Sequence, residues 1–270
     1  MKVWKNTSTL DAFAPELADC VGEHEAEVAL IGGKTLDLSK MPHLKGVFRC
    51  GVGSENVPFE ECEKRGVCVG LPSEETKNII FEETAVFAVG LIYRMLFASV
   101  GDLNAWKKNA RVATKRKKVL IVGRGNIGRR VEQALAGMVE TMVYDVLDDE
   151  KDVFEKQLGE ADVVTLHIPL TSDNQGFIGA DQLALMKDGA ALVNTARGPI
   201  VDEDALEAEL SAGRIRAAFD VFWKEPYRGK LAAYHPDPFF MTPHVASTCA
   251  DFLEKLTEDF REFRDSFEQC

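Results

Sequence analysis

The stretch Val119-Leu120-Ile121-Val122-Gly123-Arg124-Gly125-Asn126-Ile127-Gly128 is an apolar run that breaks into G-x-G-x-x-G. Four consecutive apolar residues suit a strand buried on both faces, as in a parallel sheet covered by helices. The glycines then permit a tight turn, close approach of backbone to a pyrophosphate, and close packing of the next helix. That helix shows in Ile127, Val131, Ala134 and Leu135 at helical spacing. Its N-terminus, with unpaired N–H groups and a favourable dipole, would hold the anion. A second apolar run, 141–144, ends at Asp145, 17 residues past Gly128. A carboxylate there would read a ribose 2′-hydroxyl. No basic cluster directly follows Asp145, so a 2′-phosphate would meet repulsion, and the reading is NAD rather than NADP.

Outward from this unit the pattern keeps alternating. Short apolar runs and amphipathic stretches follow at 142–144, 153–158, 163–168, 183–186, 190–194, 206–210 and 215–221, which is βαβα repetition and predicts a parallel sheet with right-handed crossovers. Before residue 95 a weaker α/β series has strand candidates at 2–5, 28–31, 47–50 and 67–70. Residues 79–97 are apolar almost all round, which predicts a buried helix linking or packing between domains. The polar segment 101–118, with Lys115-Arg116-Lys117-Lys118, reads as a solvated linker. At the other end, Phe252, Leu256, Phe260 and Phe263 recur at helical spacing within 249–267, a core stripe that would fold back onto the first domain. The predicted fold class is α/β with two Rossmann-like domains. A doubly wound parallel-sheet NAD-binding domain, 96–245, would be inserted in a smaller flavodoxin-like substrate domain, 1–95 with 246–270.

Composition narrows the partners. At 270 residues the chain is long for one compact domain. Its 32 basic against 44 acidic residues give −12, which disfavours nucleic acid and anionic membrane and leaves small-molecule or protein partners. No stretch approaches the roughly 20 apolar residues of a bilayer span, and Met1-Lys2-Val3-Trp4 leads into a polar segment rather than a signal-peptide core. The expectation is a cytoplasmic protein. Cys20, Cys50, Cys62, Cys68, Cys249 and Cys270 lack C-x-x-C spacing, so they read as reduced, mostly core residues, with no metal site expected.

Three polar residues of the second half lie at what should be ends of strands or loops: Arg197 in Asn194-Thr195-Ala196-Arg197-Gly198, Glu225 in Trp223-Lys224-Glu225-Pro226, and His244 in Thr242-Pro243-His244. Ligands of open α/β sheets bind outside the carboxyl ends of the strands. Arginine can hold a carboxylate bidentately, histidine can pass a proton to or from a hydroxyl, and a neighbouring acid can orient and charge the imidazole. The ordered set T-A-R-G-x-x-V-D-E-x-A-L (195–206), D-V-F-x-x-E-P (220–226) and T-P-H-V-A (242–246), downstream of V-G-R-G-N-I-G, resembles the D-isomer-specific 2-hydroxyacid dehydrogenases. That family includes glycerate, phosphoglycerate and D-lactate dehydrogenases, and the resemblance covers about 44–250.

The resemblance implies an NAD-dependent enzyme that interconverts a 2-oxo acid and a D-2-hydroxy acid. Arg197 would bind the substrate carboxylate and polarise its carbonyl, His244 would be the general acid/base, and Glu225 would raise the basicity of His244. The substrate loop would be Arg49, Cys50, Gly51, Val52 and Gly53. Cofactor contacts would come from Gly123, Gly125, Asn126, Ile127, Gly128, Asp145, His167, Pro169, Thr171, Thr195, Ala196, Asp220 at the carboxamide, and Ser247. A homodimer through the NAD-binding domain is also implied. Only 50 residues precede Gly51, fewer than is usual in the family, so a shortened substrate domain is expected. Arg49 would suit a distal phosphate or second carboxylate, or would brace its loop. Two alternatives stand beside this reading: an NAD-binding corepressor-like regulator, and a phosphite or formate dehydrogenase-like enzyme. Formate enzymes of this type carry glutamine where Glu225 stands.

Overall fold

The structure is a computed structural model describing residues 1–268. It divides into two compact units, Met1–Ile80 with Ser247–Cys270, and Phe81–Ala246.

In the smaller unit four parallel strands lie side by side in chain order: β1 (Val3–Lys5), β2 (Val28–Ile31), β3 (Gly46–Arg49) and β4 (Cys68–Gly70). Every residue of β2 and β3 is buried, as a sheet covered on both faces requires. Alternation along β2 divides the core. Val28 and Leu30 pack with Leu10, Leu17, Phe48 and the Phe252, Leu256, Phe260 stripe of the C-terminal helix Ala250–Asp265. Ala29 and Ile31 face Leu38, Met41, Val57 and Cys62, the last on α1 (Phe59–Lys64).

Helix α2 (Glu74–Leu96) begins five residues before the apolar run that announced it. Ser73 precedes it and accepts a hydrogen bond from Thr76 N at 3.3 Å, an N-cap that satisfies one orphan donor. The boundary between the units falls inside this helix. Ala85, Ala88, Leu91 and Ile92 are buried against the sheet of the larger unit, whereas Val86 is 65% exposed. Within the described residues the helix is thus covered on one face, not all round.

In the larger unit α2 is followed by a two-stranded hairpin, β5 (Gly101–Asp102) and β6 (Lys107–Lys108), where the sequence suggested a plain linker. Six parallel strands follow: β7 (Lys118–Val122), β8 (Glu140–Tyr144), β9 (Val163–Leu166), β10 (Ala191–Asn194), β11 (Arg216–Phe219) and β12 (Phe239–Met241). Their order across the sheet is β8-β7-β9-β10-β11-β12. The strand order therefore reverses between β7 and β9, which opens a crevice at their carboxyl ends. One face is covered by α2 and α3 (Asn126–Leu135) over Val119, Ile121, Val163, Val193 and Ala218. The other is covered by α4 (Lys151–Glu160), α5 (Ala180–Leu185) and α6 (Glu203–Ser211) over Leu120, Val122, Val164, Leu192 and Phe219. Strand β12 was not anticipated, since a three-residue strand among the four residues that separate Pro238 from Pro243 gives too short a pattern.

Among the described residues, no helix is long and apolar enough to cross a membrane. Cys20, Cys50, Cys62, Cys68 and Cys249 are free thiols, and Cys270 lies outside the described residues.

Candidate active site

The glycine loop sits between β7 and α3 at the point of strand reversal. Gly123 has φ 103°, and a Cβ there would meet His167 O at 2.6 Å. A Cβ on Gly128 would lie 1.9 Å from Gly123 O, so the first turn of α3 closes over the strand end only because both positions lack side chains. Gly125, the residue before Asn126 at the start of α3, faces open space instead. That opening leaves room for phosphate oxygens against the N–H groups of the first turn of α3.

Asp145 stands at the end of β8. Its carboxylate accepts from Arg124 N at 2.7 Å and Leu147 N at 3.1 Å, and its own N–H donates to Asp149 at 2.8 Å. The loop is thereby tied to the acid, in acidic surroundings that include Asp148, 3.9 Å from Arg124 Nη1. Two further strand ends carry buried polar atoms with no partner among the described residues, His167 Nδ1 and Thr195 Oγ1. Such orphans are rare in folded chains and leave each atom open to a partner from outside the chain. Burial lowers the His167 imidazole to about 3, so the ring is neutral, with Nε2 at 3.0 Å from Thr165 Oγ1. Pro169 and Thr171 are held by one side chain the sequence reading missed, Asn174, which donates to Pro169 O at 2.5 Å and accepts from Thr171 N at 2.8 Å. The open Gly125, the acid at Asp145 and the two orphans fit a dinucleotide.

Arg197 follows β10 and is steadied by Asn194, a fully buried residue not singled out for a role. Asn194 Nδ2 donates to Arg197 O at 2.8 Å and its Oδ1 accepts from Ala196 N at 2.9 Å. One of the guanidinium donors reaches Ala196 O at 2.7 Å. Gly198 lets this turn press on the next loop, since a Cβ there would overlap Phe222 C at 2.1 Å. Phe222 N in turn donates to Glu225 Oε1 at 3.1 Å. The other Glu225 oxygen, Oε2, lies 2.8 Å from His244 Nδ1. Burial pushes the Glu225 carboxyl up, but the hydrogen bond and charge of His244, the Phe222 N–H and the Arg197 guanidinium outweigh it, leaving the group below its ordinary range. A depressed carboxyl contributes stability above its ordinary range and loses it as pH falls through the lowered value. Ionised Glu225 accepts only, so the hydrogen sits on Nδ1 and Nε2 is left for other chemistry. His244 has φ 54°, a conformation costing about 1–3 kcal/mol outside glycine that tends to mark functional positions.

Asp220, after β11, is fully buried. It accepts from Thr242 Oγ1, Val245 N and Ala246 N at 2.6, 2.9 and 2.9 Å. Burial raises its carboxyl despite these donors. In the smaller unit, Arg49 is 9% exposed; its Nη1 donates to Cys50 O and its Nε to Asn56 Oδ1 at 3.2 Å. Gly51 has φ 129°, Val52 is exposed, and Gly53 completes the loop. Burial pushes the Cys50 thiol up to about 12, so it is no nucleophile at neutral pH. Ser247 opens the return segment of this unit. No group of three or more His, Cys, Asp or Glu among the described residues could hold a metal ion.

A reversed-order parallel sheet with a glycine loop, a strand-end acid and a carboxylate–imidazole pair defines a nicotinamide-dinucleotide oxidoreductase. Residues 98–246 match the model of the D-isomer specific 2-hydroxyacid dehydrogenase NAD binding domain. A glyoxylate reductase from Thermococcus litoralis is 30% identical over 96% of this chain and 84% of that protein. A hydroxypyruvate reductase from Thermotoga maritima is 32% identical over 79% of this chain and 74% of its own length. The crystal structure of a D-lactate dehydrogenase from Aquifex aeolicus, complexed with NAD and lactic acid, superposes with a TM-score of 0.77 at 24% identity, over 100% of this chain and 96% of that one. The chain belongs to the D-isomer-specific 2-hydroxyacid dehydrogenase family, and its larger unit carries that family's NAD-binding domain.

Replacing Asp145 by alanine should lower kcat/KM with NADH by about 10- to 100-fold, the worth of hydrogen bonds to a charged group, and shrink the preference over NADPH. Parallel titrations with both cofactors check this, and an unchanged ratio would mean Asp145 does not read the ribose.

Proposed function

We propose that this enzyme reduces a small, unphosphorylated 2-oxo acid of the glyoxylate or hydroxypyruvate type to its D-2-hydroxy acid. The observation that carries the reading is the 2.8 Å contact between Glu225 and His244 Nδ1, with the charge of Arg197 felt at the same carboxylate. NADH, when bound, supplies the hydride. Arg197 holds the substrate carboxylate with paired N–H donors and draws electron density from the adjacent carbonyl. His244 gives a proton from Nε2 to the oxygen that becomes the hydroxyl, and Glu225 stabilises the imidazolium before transfer. In oxidation the same atoms take the proton back. Gly123, Gly125, Asn126, Ile127, Gly128, Asp145, His167, Pro169, Thr171, Thr195, Ala196, Asp220 and Ser247 form the proposed cofactor set, and residues 49–53 the proposed substrate loop.

The internal bonds of Arg49 to Cys50 and Asn56 favour loop bracing over capture of a distal phosphate. Steady-state oxidation of NADH against glyoxylate, hydroxypyruvate, phosphohydroxypyruvate, pyruvate and oxaloacetate tests the substrate class. Glyoxylate or hydroxypyruvate should give the highest kcat/KM; a leading phosphohydroxypyruvate would refute the unphosphorylated reading.

The proposal includes a homodimer formed through the NAD-binding domain. The hairpin of β5 and β6 supports it, because Leu103 and Trp106 are 84% and 82% exposed. Residues 101–118 carry seven Lys or Arg against one Asp in a chain of net charge −12, so this apolar, basic arm suits an acidic second copy. Light scattering of Trp106→Asp should show a shift from dimer toward monomer. A wild-type monomer, or a variant dimer of unchanged affinity, would remove the arm from the interface.

A further inference from the structure

Glu225 stands in an irregular segment that leaves β11 and regains regular structure only at the short helical turn Lys230–Tyr234. Such segments lack ladder hydrogen bonds and are the more mobile parts of a fold. This one is pinned on either side of Glu225. Two residues before it, the Trp223 indole N–H donates to Val201 O at 2.7 Å. Two residues after it, the Tyr227 hydroxyl donates to Glu203 Oε1 at 2.6 Å and accepts from Leu231 N at 3.1 Å. Both anchor points lie at the start of α6, where Asp202 caps the helix by accepting from Ala205 N at 2.8 Å.

The rings between the anchors pack on one another. Tyr227 stacks on Phe222 with centroids 4.7 Å apart and planes at 19°, and its ring lies 5.9 Å from that of Trp223. Phe222 is the residue whose N–H donates to Glu225 Oε1. A Cβ on Gly229 would lie 2.5 Å from the Tyr227 hydroxyl oxygen, so the chain closes around the phenol where any side chain would push it away. Burial, and the bond to Glu203, hold the phenol above its ordinary range, which keeps its hydrogen in place at neutral pH. A phenylalanine would fill the same space. The hydroxyl is what ties the segment to α6.

We propose that Tyr227, latched to Glu203, is a positioning residue that fixes the Glu225 carboxylate against His244 Nδ1. Tyr227 takes no part in proton transfer; it acts through the segment that carries Glu225. The inference rests on the reading of Glu225 and His244 as the proton-transfer pair, but the contact it concerns exists with or without turnover.

Tyr227→Phe in the full chain keeps the stack and removes only the hydroxyl. A misplacement on the order of 1 Å at a reacting group costs about 100-fold in rate. Freeing one of two anchors should therefore lower kcat with the best 2-oxo acid by roughly 3- to 10-fold, while NADH affinity, read by fluorescence titration, stays at the wild-type value. Glu203→Gln, whose amide oxygen still accepts from the phenol, should keep most of the activity, and Glu203→Ala should reproduce the loss. A double-mutant cycle with Glu225→Ala separates positioning from plain stability. With no carboxylate left to position, Tyr227→Phe should cost almost nothing further, whereas a hydroxyl that only supports the fold gives losses that multiply in full. The His244 Nδ1 proton, held by a carboxylate, should give a downfield proton resonance in the free protein that broadens in Tyr227→Phe and vanishes in Glu225→Ala. Should Tyr227→Phe fail to fold, Glu203→Ala carries the same cycle. Wild-type kcat and resonance in the folded variant, or losses that multiply, overturn the inference. If Glu225→Ala leaves kcat unchanged, the proton-transfer reading fails, and the resonance alone decides the latch: broadening in Tyr227→Phe supports it and an unchanged line overturns it.

Discussion

His244→Ala is expected to lower kcat for NADH-dependent reduction of a 2-oxo acid by roughly 10²- to 10⁴-fold, the range general acid–base catalysis supplies. NADH affinity should not change with it. The imidazole is tethered through Nδ1 to Glu225 and is half exposed, so its removal opens no core cavity and should leave the melting temperature near the wild-type value. Glu225→Gln should show a smaller loss of the same kind. It keeps the shape and can still accept from Nδ1–H, but it removes the negative charge that favours the protonated ring. Stopped-flow or steady-state absorbance at saturating NADH measures kcat, and protein fluorescence measures binding. Retained turnover at neutral pH in His244→Ala would remove histidine from the reaction.

Arg197→Ala is expected to cost roughly 10²- to 10⁴-fold in kcat/KM, since two hydrogen bonds to a charged group at about 1.5–3 kcal/mol each are lost. Both parameters should suffer, with KM rising through loss of the carboxylate anchor and kcat falling through loss of carbonyl polarisation. Arg197→Lys should recover little, because an ammonium keeps the charge but cannot present two parallel N–H donors. A neutral ketone substrate lacking the carboxylate provides the control, since its already low rate should fall less than that of the acid, through loss of carbonyl polarisation without loss of the carboxylate anchor. Equal losses with acid and ketone would mean the residue acts through the fold, for example through the turn that Asn194 and Gly198 pack.

Much of the fold was legible because parallel strands buried on both faces are apolar at nearly every residue. Val119 to Val122 and Val163 to Leu166 announce themselves for that reason, as does the acid that ends β8. The glycine loop was legible for a steric reason that the structure makes concrete, a Cβ 1.9 Å from a carbonyl oxygen at Gly128. Strand β12 and the hairpin of β5 and β6 were not, being two or three residues long and lacking any period. Residues 79–97 were read as a helix from uniform apolarity, but that pattern carries no information on which face is covered, and Val86 is exposed.

The polar bracing was hidden more deeply. Asp220 and Asn194 both stand in motifs that drew notice, yet their partners depend on the register between strands and on loops more than 20 residues apart, as with Asp220 and Ala246. Residue type and spacing suggested that Glu225 and His244 could cooperate. The distance that joins them depends on a left-handed backbone at a histidine, which no local pattern encodes. Asn174 and Asn56 show the same limit, since an asparagine in a loop gives no sign of which carbonyls it will hold.

Transfer of deuterium from NADH labelled at C4 tests the central claim most directly, using hydroxypyruvate or glyoxylate as acceptor and mass spectrometry of the product. The wild-type enzyme should place one deuterium at C2 of the hydroxy acid for each labelled hydride consumed, with the D isomer formed from hydroxypyruvate. NADH that binds but is not oxidised by any 2-oxo acid, or product without label, would contradict it.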